Sequence, residues 1–252
     1  MPPLKEQKRL SRKERRLQRN SQETAKEKLN FVLRKITPLT ETQQLTFDTY
    51  NKDQHLLLIG TAGTGKSFLS IYLGMNEIME KRTQEKMVII RSVVPTRDMG
   101  FLPGSNKEKS KVYEAPYYAI FAELFGRGDA YEYLKNKNIV EFMTTSFVRG
   151  ITLNDCVVIV DEIQNMTAQE LHSVFTRIGK NCRVIFSGDI KQNDLNGKRE
   201  ESGFKDFLKV LDYMRDFSII EFDRNDIVRS TLVKSYIIAR EELEERGLVA
   251  TL

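Results

Sequence analysis

Gly60-Thr61-Ala62-Gly63-Thr64-Gly65-Lys66-Ser67 is the stretch whose reading decides the fold. It satisfies G-x-x-x-x-G-K-[ST] at every position. The apolar run His55–Ile59 before it reads as a strand, and Lys66–Glu80 after it reads as an amphipathic helix. That context separates a phosphate loop from a glycine-rich turn that matches by chance. Glycines let the backbone curl until successive N–H groups point at one anion. The helix N-terminus that follows adds partial positive charge. Lys66 is expected to reach the β- and γ-phosphates of a nucleotide, and Ser67 to give its hydroxyl oxygen to magnesium.

Working outward, Val157-Val158-Ile159-Val160 is a continuous apolar run that ends in Asp161-Glu162. Two carboxylates at the end of a buried strand are costly unless a cation or water organises them. Beside a phosphate loop, Asp161 is expected to hold the magnesium shell. Glu162 is placed to polarise an attacking water. A third strand, Val184–Ser187, leads into Gly188-Asp189-Ile190-Lys191-Gln192. The neutral amide of Gln192 can bond both a γ-phosphate oxygen and that water.

Short apolar runs and longer amphipathic stretches alternate along the rest of the chain. Strands are expected at 55–59, 87–93, 139–144, 157–160, 183–187 and 218–222. Helices are expected at 66–80, 112–124, 130–135, 167–178, 203–214 and 227–245, the fourth opened by a capping box of Thr167 and Glu170. Strands alternating with helices predict an α/β fold of three layers, α-β-α, around a mainly parallel sheet. Ligands in such folds sit beyond the carboxyl ends of the strands.

Of the 252 residues, 40% are apolar, enough for a sizeable core. No apolar stretch approaches the roughly 20 residues of a membrane span, and Met1–Leu10 lacks the apolar core expected of a secretory signal. Cys156 and Cys182 read as free thiols in apolar surroundings, and no metal-binding Cys/His spacing exists. Residues 1–30 carry ten Lys/Arg and four Asp/Glu, so this part is +6 and the remaining chain is −1. Residues 1–36 are therefore expected to form a basic arm, partly disordered or helical, and residues 37–252 one compact domain. The arm is either a solvated tail or a contact to nucleic-acid phosphates.

These pieces together resemble the PhoH family, P-loop ATPases related to the RecA-like motor domain of superfamily 1 helicases. The resemblance rests on more than the common motifs. Arg91 with Gly100-Phe101-Leu102-Pro103-Gly104, and Arg149-Gly150-Ile151-Thr152-Leu153, match two of its segments. Asp161-Glu162-Ile163-Gln164-Asn165 matches D-E-A-Q-N. Gly188-Asp189 with Gln192 and Asp194-Leu195 matches a fourth segment, and Asp226-Ile227-Val228-Arg229 with Leu232-Val233 a fifth. The likeness covers roughly residues 37–240. Ile163 stands where alanine is usual and Ser230 where histidine is frequent. The compact size and altered loops are similar to phage-encoded members.

The resemblance implies ATP and Mg2+ as cofactors and hydrolysis as the reaction. It also implies RNA or single-stranded nucleic acid as a partner, with helicase-like remodelling, and no membrane. The implied location is the cytoplasm, that of the host cell if the chain is phage-encoded. By analogy with helicases, Gln43 is the first candidate for the adenine edge, with Gln44 second; an ordinary helix-capping turn at Thr40–Gln44 is the rival reading. One RecA-like domain leaves the γ-phosphate open on one side. A homo-oligomeric ring, as the family forms, is therefore expected, hexameric, with an arginine reaching the neighbouring site. Arg229 is the first candidate, then Arg149 and Arg224, the rival for Arg229 being a helical pair with Asp226. The alternative function is an ATP-driven protein switch or assembly factor without nucleic-acid activity.

Overall fold

A computed structural model describes residues 31–92, 106–189 and 204–249. Among these residues, six parallel strands form one sheet. They are β1 (His55–Gly60), β2 (Lys86–Arg91), β3 (Val140–Thr144), β4 (Cys156–Asp161), β5 (Arg183–Gly188) and β6 (Phe217–Phe222). Their order across the sheet is β3-β2-β4-β5-β1-β6. The helices are α1 (Glu41–Asn51), α2 (Lys66–Asn76), α3 (Asn106–Phe125), α4 (Ala130–Asn136), α5 (Ala168–Phe175), α6 (Phe204–Tyr213) and α7 (Thr231–Glu245).

Strand composition follows position in the sheet. The central β4 and β5 are buried along their whole length, whereas the edge strands β3 and β6 are half-buried in places. A strand covered on both faces must be apolar at successive positions, not alternate ones. Alternate side chains then feed two cores. Leu56, Leu58, Met87, Ile89, Val157 and Ile159 pack under α2, α3 and α4. Leu57, Val88, Ile90, Val158, Val160 and Phe186 pack under α5 and α6. The result is the expected three-layer α/β sandwich.

Three local departures have identifiable causes. The helix expected to run to Glu80 leaves α-geometry after Asn76 and closes in a π-helical turn, Glu77–Lys81, where Arg82 adopts a left-handed φ of +57° and donates its N–H to Glu77 O. The helix expected from Ile227 begins only at Thr231. Asp223 and Asp226 cap each other around a 3-10 turn at Arg224–Asp226, and the Val228 N–H is taken by Gly63 O at 3.1 Å. At the other end, Phe31 and Leu33, before the expected boundary at residues 36 and 37, are buried in the core beneath α3 and α4. Phe31 stacks against Tyr133 and lies beside Phe125.

The capping box at α5 is present as expected, Thr167 Oγ1 accepting from Glu170 N and Glu170 Oε2 from Thr167 N. Glu170 also accepts from Ser92 and Thr145, which follow β2 and β3. Burial pushes the Glu170 carboxyl up, and these hydrogen bonds outweigh it and hold it below the usual value. Cys156 and Cys182 are free thiols that share a hydrogen bond, their sulfurs 3.7 Å apart.

Candidate functional site

The carboxyl ends of β1, β4 and β5 and the N-terminus of α2 meet at one cleft of about 880 Å³. Its floor is the loop of residues 60–67. Gly60 has φ +119°, and a Cβ there would lie 2.0 Å from Phe222 O. Only glycine lets β6 approach this closely, and the approach is fixed by Thr61 N–H donating to the same carbonyl at 3.0 Å. Gly65 caps α2 with φ +87°. Thr64 Oγ1 donates to Thr61 O at 3.0 Å, and Thr61 Oγ1 to Glu241 of α7 at 3.1 Å. The loop is thus held from within and from two distant elements.

Lys66 Nζ lies inside the curl of the loop, donating to Gly60 O and Thr61 O at 2.8 Å each. Burial lowers its pKa, and the nearby carboxylates of Asp189, Glu162 and Asp161 partly oppose that. Ser67 Oγ donates to Asp161 Oδ1 at 2.9 Å. The residues expected to share magnesium, Ser67 and Asp161, therefore meet although one opens α2 and the other ends β4. One hydroxyl and one carboxylate beside a phosphate loop suit magnesium, which takes few protein ligands and completes its shell with phosphate oxygens and water. Among the described residues no cluster of three or more His, Cys, Asp or Glu offers another metal site.

Asp161 has two further partners. Ser187 of β5 donates to Oδ1 at 2.5 Å, and Tyr117 of α3 donates to Oδ2 at 2.9 Å. Tyr117 is fully buried. Burial first, and the Asp161 charge second, push its phenol well above its ordinary pKa. Arg91 closes the other flank, in register with Asp161 across β2 and β4. Burial works against its charge, but Tyr117, Glu162 and Asp161 outweigh that, and the guanidinium stays protonated.

Glu162 follows directly, with a left-handed φ of +55° that turns it out of the strand into a 3-10 turn. Its carboxyl is raised above the ordinary glutamate value of 4.5, first by burial and then by Asp161, against Arg91, Gln164 and Lys66. Gln164 Nε2 donates to Glu162 Oε2 at 2.5 Å, and Gln164 Oε1 accepts from Asp189 N at 3.0 Å. Gln164 thus ties the second acid to the turn after β5. Gln192 lies outside the described residues, as do residues 1–30.

Gln43 is buried at the edge of the cleft. Its Nε2 donates to Thr64 O at 3.1 Å and its Oε1 accepts from Leu39 N at 2.9 Å. The amide expected to read adenine is engaged in bracing the phosphate loop. Its backbone N–H is capped by Thr40 Oγ1, so the rival reading as a capping turn holds as well. Gln44 instead bonds Asp48 along α1.

Arg229 lines the cleft of its own chain. A Cβ on Gly63 would lie 3.0 Å from Arg229 Cγ and 3.5 Å from its Nε. The rival helical pair with Asp226 is not formed: Arg229 precedes α7, and Asp226 accepts from Asp223 N. The stem of Arg229 lies on the chain's own loop, a placement that favours a role at its own site over the expected one at a neighbour's. Arg224 is engaged by Glu241 at 2.7 Å and Glu245 at 2.5 Å. Arg149 is exposed in the turn after β3.

Most of the site was legible in local motifs. Tyr117, Ser187 and Gln164 were given no role by sequence reasoning. Gln164 stood within a quoted motif, and its place beside Glu162 could have suggested one. Nothing in the spacing of Tyr117 connects it with Asp161, 44 residues on.

The sheet order and this cleft define a P-loop nucleotide-binding domain of RecA-like architecture. A family model described as PhoH-like protein matches residues 35–241, and the chain belongs to that family. Similar proteins include a PhoH-like protein of Mycobacterium leprae (strain TN), 30% identical over 223 residues, covering 87% of this chain and 63% of that one. A PhoH-like protein of Bacillus subtilis (strain 168) is 35% identical, covering 73% and 57% respectively. Protein PhoH of Escherichia coli (strain K12) is 33% identical, covering 76% and 51%. The chain thus spans between about half and just under two thirds of the length of these relatives. Among solved structures, the large terminase of the thermophilic bacteriophage D6E is similar at a TM-score of 0.47 and 13% identity, over 79% of this chain and 50% of that one. Pif1 of Bacteroides sp in complex with ADP-AlF4 is similar at 0.38 and 14%, over 86% and 48%. No described helix is long and apolar enough to cross a membrane.

Proposed function

We propose that the domain binds ATP with magnesium, hydrolyses it, and couples the reaction to binding or remodelling of RNA or single-stranded nucleic acid. The observation that carries the first part is the convergence of Lys66, Ser67, Asp161 and Glu162, with Ser67 Oγ 2.9 Å from Asp161. The loop N–H groups and Lys66 take the phosphates. Magnesium on Ser67 and Asp161 would neutralise charge between the β- and γ-phosphates. Glu162, held by Gln164, polarises the attacking water, and its raised pKa suits a proton acceptor. Arg229 serves phosphate oxygens of its own subunit. The open side of the γ-phosphate is met by an arginine from the next subunit of a head-to-tail ring, proposed as a hexamer, and Arg149 is the arginine we assign to it.

Coupling to nucleic acid rests on the family and on the +6 charge of residues 1–30. Phosphate release is measured with magnesium and ATP, with and without RNA or single-stranded DNA. Stimulation by either is expected. Deleting residues 1–30 should weaken binding and flatten its salt dependence, by about 0.7–0.9 in slope for each lost phosphate contact. Turnover unaffected by any nucleic acid favours the alternative, an ATP-driven protein switch.

A further inference from the structure

We propose that Tyr117 is a positioning residue for the divalent cation, acting through Asp161. The proposal rests on the magnesium-nucleotide reading of the cleft and extends it to a helix that carries none of the motifs. Asp161 has two oxygens with distinct surroundings. Oδ1 faces Ser67 and Ser187, at 2.9 and 2.5 Å. Oδ2 is taken by the Tyr117 hydroxyl at 2.9 Å. A carboxylate with both oxygens bonded in different directions cannot turn about its Cβ–Cγ bond without breaking one bond in a buried setting, where an unmade bond to a charge is costly. Tyr117 therefore selects Oδ1, the oxygen shared with Ser67, as the one presented to the cation.

The tyrosine is itself well fixed. It is fully buried, and its ring lies 5.8 Å from that of Phe142 on β3. Pro116 precedes it within α3. Proline has no N–H to donate, so the helix lacks one backbone hydrogen bond at that point. Pro116 and Ile120 of the same helix line the cleft. A residue packed only to fill the core would need no hydroxyl here, since phenylalanine would fill nearly the same volume. Burying the phenol is compensated by its charge-assisted bond to Asp161 and by a second hydrogen bond with the Arg91 side chain.

The test compares the full chain with Tyr117→Phe, which keeps the ring and removes the donor. Binding of Mn2+ to the protein with ADP is followed by the electron paramagnetic resonance signal of free manganese. Partners that orient a metal ligand are typically worth roughly 10–100-fold in metal affinity, and a loss in that range is expected. ADP affinity in EDTA should be unchanged. The magnesium concentration for half-maximal phosphate release should rise by the same factor, with turnover largely restored at saturating magnesium. Two further variants guard against a purely structural effect. Phe142→Leu loosens the packing around the ring but keeps the hydroxyl, and should cost manganese affinity clearly less than Tyr117→Phe does. Placing p-aminophenylalanine at 117 returns an N–H donor and should recover affinity. Unchanged manganese affinity in Tyr117→Phe would overturn the proposal, and so would an equal loss in Phe142→Leu or of ADP binding in EDTA. Failure of the unsubstituted chain to bind manganese with ADP would remove the nucleotide reading itself, and the proposal with it.

Discussion

Lys66 and Glu162 carry opposite charges into the same cleft, and their replacement should separate two steps. Lys66 contributes a cation inside the curl of the loop, its Nζ held against Gly60 O and Thr61 O. Lys66→Ala should lower phosphate release at least about 10²-fold, the scale for losing a preorganised electrostatic group, without lowering the melting temperature. Near-normal hydrolysis by the folded variant would rule the role out. Glu162→Gln keeps the shape and the Gln164 contact while removing the charge that accepts a proton. ATP binding should persist and turnover fall by roughly 10²–10⁴-fold, the usual range for general base catalysis. Titration with a fluorescent ATP analogue alongside single-turnover hydrolysis separates the two, and wild-type turnover would mean that another group positions the water.

At the scale of elements, the phosphate loop is shaped by β6 as much as by its own glycines. Phe222 O accepts from Thr61 N, and Gly60 passes beneath it. In Gly60→Ala the new methyl would have to share space with that carbonyl, 2.0 Å away, at a φ unfavourable for alanine. The strand end must shift, at roughly 2–4 kcal/mol in stability. A lower urea midpoint with loss of nucleotide binding is expected. A variant as stable as the parent would show that β6 yields more easily than its register with β1 suggests. The boundaries that sequence patterning missed lie at comparable tertiary contacts. The start of α7 is delayed because Val228 N–H bonds Gly63 O rather than a helical carbonyl. Phe31, where the charged N-terminal composition already ends in the sequence, is received by aromatic residues of α3 and α4. Neither partner is local, so no window of sequence contains the reason.

For the whole molecule, the question is which arginine completes which site. Lys66→Ala subunits keep Arg229, and Arg229→Ala subunits keep Lys66. If Arg229 acts on its own subunit, mixing the two should recover no phosphate release, since no site then holds both residues. Recovery in proven mixed assemblies would return Arg229 to the neighbour's site. The same mixture made with Arg149→Ala should recover part of the activity, because an intact Lys66 can then meet an intact Arg149 across the interface.

The sequence by itself determined the class of fold and the phosphate-loop motif, and it named Ser67, Asp161 and Glu162 as the residues that the structure brings together beside that loop. These signals are short and contiguous: eight residues at 60–67, and a buried run ending in two carboxylates at 161–162. Their chemistry follows from residue type and from the strand or helix that carries them, both of which local patterning reveals. Only the tertiary structure decided how they are completed. Strand order put β4 between β2 and β5, which set Arg91 and Ser187 on either side of Asp161. Packing of α3 brought Tyr117 to the far oxygen of the same carboxylate, and packing of residues 227–229 on the loop set the stem of Arg229 against Gly63 of the same chain. Each of these contacts joins residues tens to more than a hundred positions apart. They arise from the burial of two apolar faces of one sheet, and that collapse specifies neighbours which no local periodicity encodes.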